Sequence, residues 1–183
     1  MLAGLVERAR QGDEDAFAAL VSVVGDRCLA IAYRILRDFD LAEDAVQTAL
    51  VSAWRELGAL RDTAKFEPWL HRQLVHACYA EVRRSRGRTL RLVEAELAGP
   101  WSDDYLTVAD RDELERGFRR LPAEQRALLV FRYYLGLSVP EVAQHIGVPL
   151  GTAKSRLHYA ELALRAALEA DARGADRRKE RPA

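Results

Sequence analysis

The chain has 183 residues, 49% of them hydrophobic and 31% charged, and its 28 Lys and Arg residues balance its 28 Asp and Glu residues. This composition is typical of a globular protein of one or two compact domains, and it excludes a disordered chain. Two cysteines, Cys28 and Cys78, are too few for a disulfide framework or a four-thiolate zinc site, so we expect a reducing, cytoplasmic location.

Apolar runs are short throughout the sequence. None approaches the roughly 18 residues that a membrane helix needs, and Glu7 and Arg8 interrupt any signal-peptide core. We therefore expect no membrane insertion.

The zero net charge conceals a segregated distribution. Residues 61–93 carry a net charge of +5 and residues 119–168 carry +4. Residues 1–60 and 94–118 carry −4 and −6. Because the basic residues form two separate blocks, nucleic-acid binding is not excluded by the neutral total.

Hydrophobic periodicity is helical almost throughout, which predicts an all-α fold. Capping and first-turn residues place the helix starts. The predicted N-terminal helices run from Asp13 or Asp15 toward Ile35, from an Asp40 cap over Leu41 to Leu57, and from near Pro68 to about Arg84. Those of the C-terminal half begin near Asp110, after Pro122, at Ser138 and at about Leu150.

The helical pattern breaks between Gly87 and about Ala109, around Gly99-Pro100. We interpret this segment as a partly irregular linker between two small helical domains. The predicted boundaries are an N-terminal domain at 1–86, the linker at 87–109, a C-terminal helix-turn-helix domain at 110–170 and a charged, flexible tail at 171–183.

The clearest motif lies in the C-terminal domain. Ser138 and Glu141 have the spacing of a capping box, with Pro140 in the first turn of a short helix. Gly147 follows at a turn that favours a positive φ, and a longer helix begins after it. Short helix, glycine turn and longer helix form the plan of a DNA-binding helix-turn-helix.

The second helix of this motif is apolar on one side and polar on the other. Side chains near the start of such a helix read base edges in the major groove. A helical hairpin with a merely solvated polar face is the alternative. The candidate duplex-binding residues are Thr152, Lys154, Ser155, Arg156, His158 and Tyr159.

A second basic stripe lies on the helix near 68–84. Cations interleaved with aromatic rings suit a single strand, because rings stack on unpaired bases while Arg contacts phosphates. The alternative to strand binding is that these residues form a solvated helix face without a binding role. The stripe consists of Arg72, His76, Tyr79, Arg83 and Arg84.

We find no sequence support for catalysis, a cofactor or a metal site. No nucleophile–base pair, phosphate-binding loop or carboxylate pair stands out. His71, His76 and Cys78 do not converge on one point of a helix, so they do not form a metal site.

Four motifs in order resemble the extracytoplasmic-function group of bacterial RNA polymerase sigma factors. They are AEDAVQ at 42–47 followed by Trp54, FEPWL at 66–70 followed by Arg83-Arg84, LPAEQR at 121–126 and GTAKSRL at 151–157. The resemblance covers about residues 10–168.

The resemblance implies roles for the surfaces described above. The partners would be core RNA polymerase and promoter DNA, and a cognate anti-sigma factor is a further partner that relatives commonly have. The stripe near 68–84 would read the melted −10 element, and the helix-turn-helix would read the −35 duplex. The residues implied in docking on core polymerase are Asp44, Gln47, Thr48 and Leu50.

Two rival functions remain at this point. One is a free-standing helix-turn-helix regulator, which would not need the AEDAVQ docking surface. The other is a helical adaptor or enzyme domain, in which both basic stripes are solvated faces.

Overall fold

The computed structural model describes the backbone of residues 2–85 and 108–179, and within these ranges the chain is helical, without a strand. The predicted linker lies outside the described residues, except that its last two residues already belong to a helix. The helices are α1 (Leu2–Arg10), α2 (Glu14–Leu36), α3 (Phe39–Glu56), α4 (Phe66–Ser85), α5 (Val108–Arg120), α6 (Ala123–Leu129), α7 (Val139–Ile146) and α8 (Leu150–Lys179).

Helices α1 to α4 form an N-terminal group around α2. Small residues on α3 allow its backbone to lie close to α2 and α4, both of which it contacts. These residues are buried and recur every three or four positions: Ala42, Ala45, Ala49 and Ala53. Short 3-10 turns at Leu57–Ala59 and Thr63–Lys65 connect α3 to α4, and Pro68 lies in the first turn of α4 as predicted.

Aspartates are the N-caps of both α2 and α3. Asp13 is the N-cap of α2, and its carboxylate accepts the Ala16 N–H at 2.9 Å. The cap of α3 is Asp38, which accepts the Leu41 N–H at 3.0 Å. The predicted Asp40 cap is therefore wrong. The reason is that Arg37, at φ 61, ends α2 in a left-handed conformation and leaves Asp38 as the one extended residue before α3.

This difference between two neighbouring aspartates is testable. Asp38→Ala is expected to lower the free energy of unfolding by about 1 kcal/mol, because it leaves an amide N–H of the first turn without its acceptor. Asp40→Ala is the matched control and is expected to cost only a few tenths of a kcal/mol. Urea unfolding followed by circular dichroism measures both, and an equal loss in the two variants would contradict the assignment.

Helix α2 is long and apolar enough to cross a membrane by length and composition alone. This differs from the expectation that no apolar stretch approaches that length. The helix is apolar on average over its length, although Asp26 and Arg27 interrupt its apolar residues. Core helices of globular proteins can have the same length and apolar composition. Leu20, Ile31 and Ile35 of α2 are indeed fully buried in the core.

Helices α5 to α8 form the C-terminal group, and a π-helical turn at Val130–Tyr134 follows α6. Helix α8 continues to Lys179, so the backbone of 171–179, predicted as a flexible tail, is helical. Its Ala and Arg residues are strong helix formers, which outweighs the single Gly174.

The two groups pack against each other. Helices α2 and α4 contact α6, α4 also contacts α7, and α2 contacts the π-helical turn. Buried residues from both groups belong to one continuous hydrophobic core. The sequence predicted two domains but not this contact between them.

Candidate nucleic-acid and protein interfaces

The helix-turn-helix predicted from the sequence is present in the structure. Ser138 is the N-cap of α7, and its backbone N–H donates to the Glu141 carboxylate at 2.7 Å. Hydrogen bonds from the Ser138 hydroxyl and N–H lower the pKa of Glu141 below its ordinary value. Gly147 ends α7 with φ 69, as predicted. A capped short helix and a left-handed glycine thus set the direction in which α8 begins.

One side of α8 is buried and the other faces solvent. Ala153, Leu157 and Ala160 pack into the core. The Ser155 hydroxyl bonds back to the carbonyl oxygens of Gly151 and Thr152, at 3.2 and 3.1 Å. Of the six candidate duplex-binding residues, Thr152 is half-buried and the others are exposed: Lys154, Ser155, Arg156, His158 and Tyr159. The polar face of α8 is therefore accessible.

The basic stripe on α4 is only partly accessible. Arg72, His76 and Arg83 are exposed. Arg84 is also exposed, but its guanidinium donates to the buried Glu81 carboxylate at 2.8 Å. Tyr79 differs from the other members of the stripe because it is half-buried.

Tyr79 packs against the core. Burial raises the pKa of its phenol above the ordinary value, Glu124 raises it further, and Arg156 acts in the opposite direction. Helix α4, which carries Tyr79, also contacts α6 of the C-terminal group. Tyr79 is therefore half-buried, whereas Arg72 and His76 on the same helix are exposed.

The α3 surface carries the candidate docking residues. Asp44, Gln47 and Thr48 are exposed and Leu50 is half-buried. Gln47 and Leu50 also line a groove of about 330 Å³ between α2 and α3. Its lining residues are mainly apolar: Glu14, Phe17, Val21, Gln47, Leu50, Val51 and Trp54.

The docking residues expected from the sequence include only the α3 side of this groove, at Gln47 and Leu50. Its opposite side comes from α2, where Phe17 packs against Trp54 in a tilted arrangement, with ring centroids 4.8 Å apart and ring planes at 51°. Val51 at the groove is 44% exposed, which adds apolar surface to the groove. Phe17 lies among the apolar residues of α2 that pack against the core, and its pairing with Trp54 depends on how α2 and α3 pack.

Metal-ligating side chains do not cluster in the described part of the chain. No group of three or more His, Cys, Asp or Glu residues there is placed to hold a metal ion. Cys28 and Cys78 are free and buried, and burial raises the pKa of each thiol to about 12.

Comparisons with known proteins place both helical groups in one class. Residues 20–88 match the family model for Sigma-70 region 2, and residues 111–164 match the model for Sigma-70 region 4. The RNA polymerase sigma-H factor of Pseudomonas aeruginosa is 32% identical over 90% of this chain and 92% of its own length. The ECF RNA polymerase sigma factor SigL of Mycobacterium tuberculosis is 34% identical over 86% of this chain and 94% of its own.

Among solved structures, the fold is similar to that of the sigma factor RpoE of Bartonella quintana, determined in complex with the anti-sigma factor NepR. The TM-score is 0.65 at 26% identity, over 85% of this chain and 98% of that one. Region 2, region 4 and the helix-turn-helix define a sigma-type transcription initiation factor. The chain belongs to the extracytoplasmic-function group of RNA polymerase sigma factors. It binds core RNA polymerase and directs it to promoters, and the free-standing regulator is not favoured.

Proposed function

We propose that three separate surfaces of this sigma factor perform promoter recognition, with no chemistry of its own. The observation that carries the proposal is the exposed polar face of α8, which follows a capped helix and a left-handed glycine. The proposed division is an N-terminal domain at 1–86 for core docking and the −10 element, and a C-terminal domain at 110–170 for the −35 element. Its proposed location is the cytoplasm, where core polymerase and promoter DNA are found.

The α8 face would bind the −35 duplex. Lys154 and Arg156 supply cations for phosphates, and Arg in addition can form two hydrogen bonds to a guanine edge. Thr152, Ser155, His158 and Tyr159 complete the surface with donors and acceptors. In a helix-turn-helix, the second helix lies in the major groove. Helix α8 is the second helix here, and its exposed cationic face would enter the groove.

The α4 stripe would hold the melted −10 strand. Arg72, Arg83 and Arg84 supply phosphate contacts, and His76 and Tyr79 supply rings on which unpaired bases stack. Binding of unstacked bases offsets the free energy lost when the duplex opens, so promoter melting is driven by binding alone.

The α3 surface would dock on core polymerase. Asp44, Gln47 and Thr48 offer polar contacts beside the half-buried Leu50, and the adjoining groove offers the apolar area that a lasting protein contact needs. By analogy with the complex of the Bartonella relative, an anti-sigma factor is a further proposed partner of this chain.

The docking surface and the duplex-binding surface can be tested as reciprocal controls. The double variant Asp44→Ala, Gln47→Ala is expected to weaken binding to core polymerase by roughly tenfold or more, as loss of central interface contacts does. Lys154→Ala should leave core binding unchanged. Titration of labelled protein with core polymerase measures both, with circular dichroism to verify folding. An equal loss of core binding in the double variant and in Lys154→Ala would contradict the assignment of α3 as the docking site.

The duplex role of Lys154 predicts a change in salt dependence. When log affinity of the reconstituted holoenzyme for promoter DNA is plotted against log salt concentration, Lys154→Ala is expected to reduce the slope by about 1, since one phosphate contact is lost. The Asp44, Gln47 double variant, compared at saturating core polymerase, should keep the wild-type slope. An unchanged slope for Lys154→Ala would exclude this residue from the phosphate contacts.

Run-off transcription tests the three roles together. Core polymerase with this protein, on a library of promoters, should initiate at specific sites, and core polymerase alone should not. Variants of the α8 face should shift which promoters are used. If no promoter-specific initiation is gained, the proposed assignment of surfaces is wrong.

A further inference from the structure

The connection between α3 and α4, residues 57–65, is held by a side chain from the N-terminal helix α1. It contains the two 3-10 turns, and α1 contacts both of them. Arg10, the last residue of α1, donates from its guanidinium to the carbonyl oxygen of Leu60 at 3.1 Å. A Cβ atom at Gly58 would lie 4.0 Å from the carbonyl oxygen of Arg10, so the end of α1 also lies against this turn. Residues 50 positions apart in the chain are thereby joined.

Arg10 is itself held in place on α1. A second nitrogen of its guanidinium donates to the Glu7 carboxylate at 2.9 Å, and Gln11 donates to the same carboxylate oxygen at 3.1 Å. The Arg10 side chain is 30% exposed, against 61% for Arg8 of the same helix. A planar guanidinium that is bound on two sides keeps one orientation. Arg10 is therefore a directed contact to the α3–α4 connection and not a solvated charge at the end of a helix.

The α3–α4 connection needs such a contact because its own structure is short. Leu57 and Leu60 are buried anchors, whereas the residues between Leu60 and α4 are mostly exposed. Within the turns, the Leu60 N–H donates to the Leu57 carbonyl and the Lys65 N–H to the Asp62 carbonyl, both at 3.0 Å. Hydrogen bonds in 3-10 turns have poorer geometry than those of an α-helix, and such short segments are marginal alone. A bond from outside thus helps to fix the shape of the connection.

The α3–α4 connection leads directly into the helix that carries the proposed strand-binding stripe. It ends at Lys65, immediately before α4, and Arg61 and Lys65 are both exposed. Lys65 also pairs with Asp62 at 3.8 Å, which ties its charge to the turn. On α4 the stripe begins at Arg72, within about two helical turns of this end. A strand that extends along the stripe toward the start of α4 approaches the exposed cations of the connection.

We propose that Arg10 is a positioning residue for promoter opening. Through its bond to the Leu60 carbonyl it fixes the shape of the α3–α4 connection, and with it the path by which the melted strand reaches α4. The inference rests on the proposed role of α4 as the strand-binding surface. Helix α1 lies outside residues 20–88, which match Sigma-70 region 2. Binding loops are commonly positioned by a rigid scaffold, and α1 supplies part of that scaffold here.

The contact is tested by hydrogen exchange on the full-length protein, with circular dichroism to verify folding. Arg10→Met removes the donors and keeps an aliphatic stem of similar length. The amides of Leu60 and Lys65 are expected to exchange roughly tenfold faster, because losing a charged hydrogen bond makes local opening easier. Amides in the middle of α4 should keep their wild-type rates. Wild-type exchange of both connection amides in Arg10→Met would overturn the positioning role.

Two further variants of α1 show whether the effect is specific. Arg8→Met is the matched control, because Arg8 forms its ion pair with Asp13 at the turn between α1 and α2, at 2.7 Å. It should leave exchange in 57–65 unchanged. Arg10→Lys keeps one cationic donor and should restore part of the protection. Equal acceleration by Arg8→Met would mean that α1 as a whole has loosened, which contradicts a specific role for Arg10.

The effect on function is measured with the reconstituted holoenzyme and a fluorescent base analogue in the −10 element. Arg10→Met is expected to slow promoter opening roughly tenfold, as the loss of one charged hydrogen bond would. Affinities for core polymerase and for a −35 duplex should stay at the wild-type values. In a promoter library randomised at the −10 element, Arg10→Met should relax the preference for bases, and Arg10→Lys should recover it. A general loss of stability would not change base preference.

The possible failures have different signatures. Faster exchange in 57–65 with unchanged opening rate and base preference would overturn the link between Arg10 and promoter opening. If Arg72→Ala and His76→Ala leave promoter opening unchanged, α4 is not the strand-binding surface, and the proposed path to it fails as well. Hydrogen exchange in Arg10→Met would still report the contact itself, because that measurement uses neither polymerase nor DNA.

Discussion

Replacing Phe131 with alanine is expected to lower the free energy of unfolding by about 3–5 kcal/mol, the usual cost of removing a large buried aromatic side chain. Phe131 is fully buried in the π-helical turn after α6. Its ring centroid lies 5.8 Å from that of His71 on α4 and 5.5 Å from that of His145 on α7. Removing the ring leaves a cavity where the two helical groups meet, and their close packing on either side limits how far it can collapse.

Tyr133 provides the matched control, since it is an aromatic residue of the same turn but is 64% exposed. Tyr133→Ala removes an exposed hydrogen bond to Glu161 and should cost no more than about 1 kcal/mol. Urea unfolding measures both variants. A similar loss in the two would mean that Phe131 does not contribute through burial.

Acidification is expected to destabilise the protein through His71. Burial, followed by the charges of His145 and Arg27, lowers the pKa of His71 to about 3, from 6.5. Its Nδ1 is buried without a hydrogen-bond partner, so the structure offers no acceptor there for an added proton. The charged and titratable groups around it are Arg27 on α2, His145 on α7 and Glu67 on α4 itself.

The direction of the effect follows from proton linkage. The pKa is lower in the folded protein than in the unfolded chain, so the unfolded chain binds more protons between these two values. The stabilisation by neutral His71 is therefore complete above about pH 6.5 and is lost as the pH falls toward 3. The loss approaches about 1.4 kcal/mol per pH unit for one proton.

Two variants on α4 separate this contribution from general acid effects. His71→Gln should flatten the dependence of unfolding free energy on pH between about 6 and 4. His76→Gln, which replaces an exposed histidine of the same helix, should keep the wild-type dependence. Parallel pH dependences in all three proteins would show that His71 is not responsible.

Local features of the fold were predictable from the sequence because they depend on neighbouring residues. Ser138 and Glu141 lie three positions apart, and their capping box forms within one helical turn. Gly147 adopts the left-handed conformation that its position in the turn requires. The error at Asp38 and Asp40 has the same local origin, since both residues are good caps and the end of the preceding helix decided between them.

Longer elements were predicted less well where local signals compete. Helix α1 was not predicted, because its nine residues are marginal alone and are stabilised by packing on α2. Helix α8 extends beyond Leu168 although its charged end has no apolar stripe to indicate it. In both cases the helix boundary depends on more than a periodic apolar pattern.

The candidate surfaces likewise divide into those that the sequence predicted and those that depend on tertiary packing. The exposed face of α8 was predictable from helical spacing, since its apolar residues recur on the opposite side of the helix. The docking role of the α3 residues stays a prediction. Helical spacing did not predict the groove between Phe17 and Trp54, the half-buried Tyr79, or the hydrogen bonds from Arg126 to the carbonyl oxygens of Ile35 and Leu36. Each joins residues far apart in the chain, and no periodicity in one helix indicates which other helix will lie against it.

The sequence by itself determined the all-helical class, the helix-turn-helix and the family, since each is encoded in spacings of a few residues or in motifs in order. The two basic blocks in a neutral chain were also visible there. Only the tertiary structure decided that the two groups pack together, with the α8 face open and the α4 stripe partly covered. The physical reason is that burial of Arg126, His71 and Phe131 is a property of the contact between the groups.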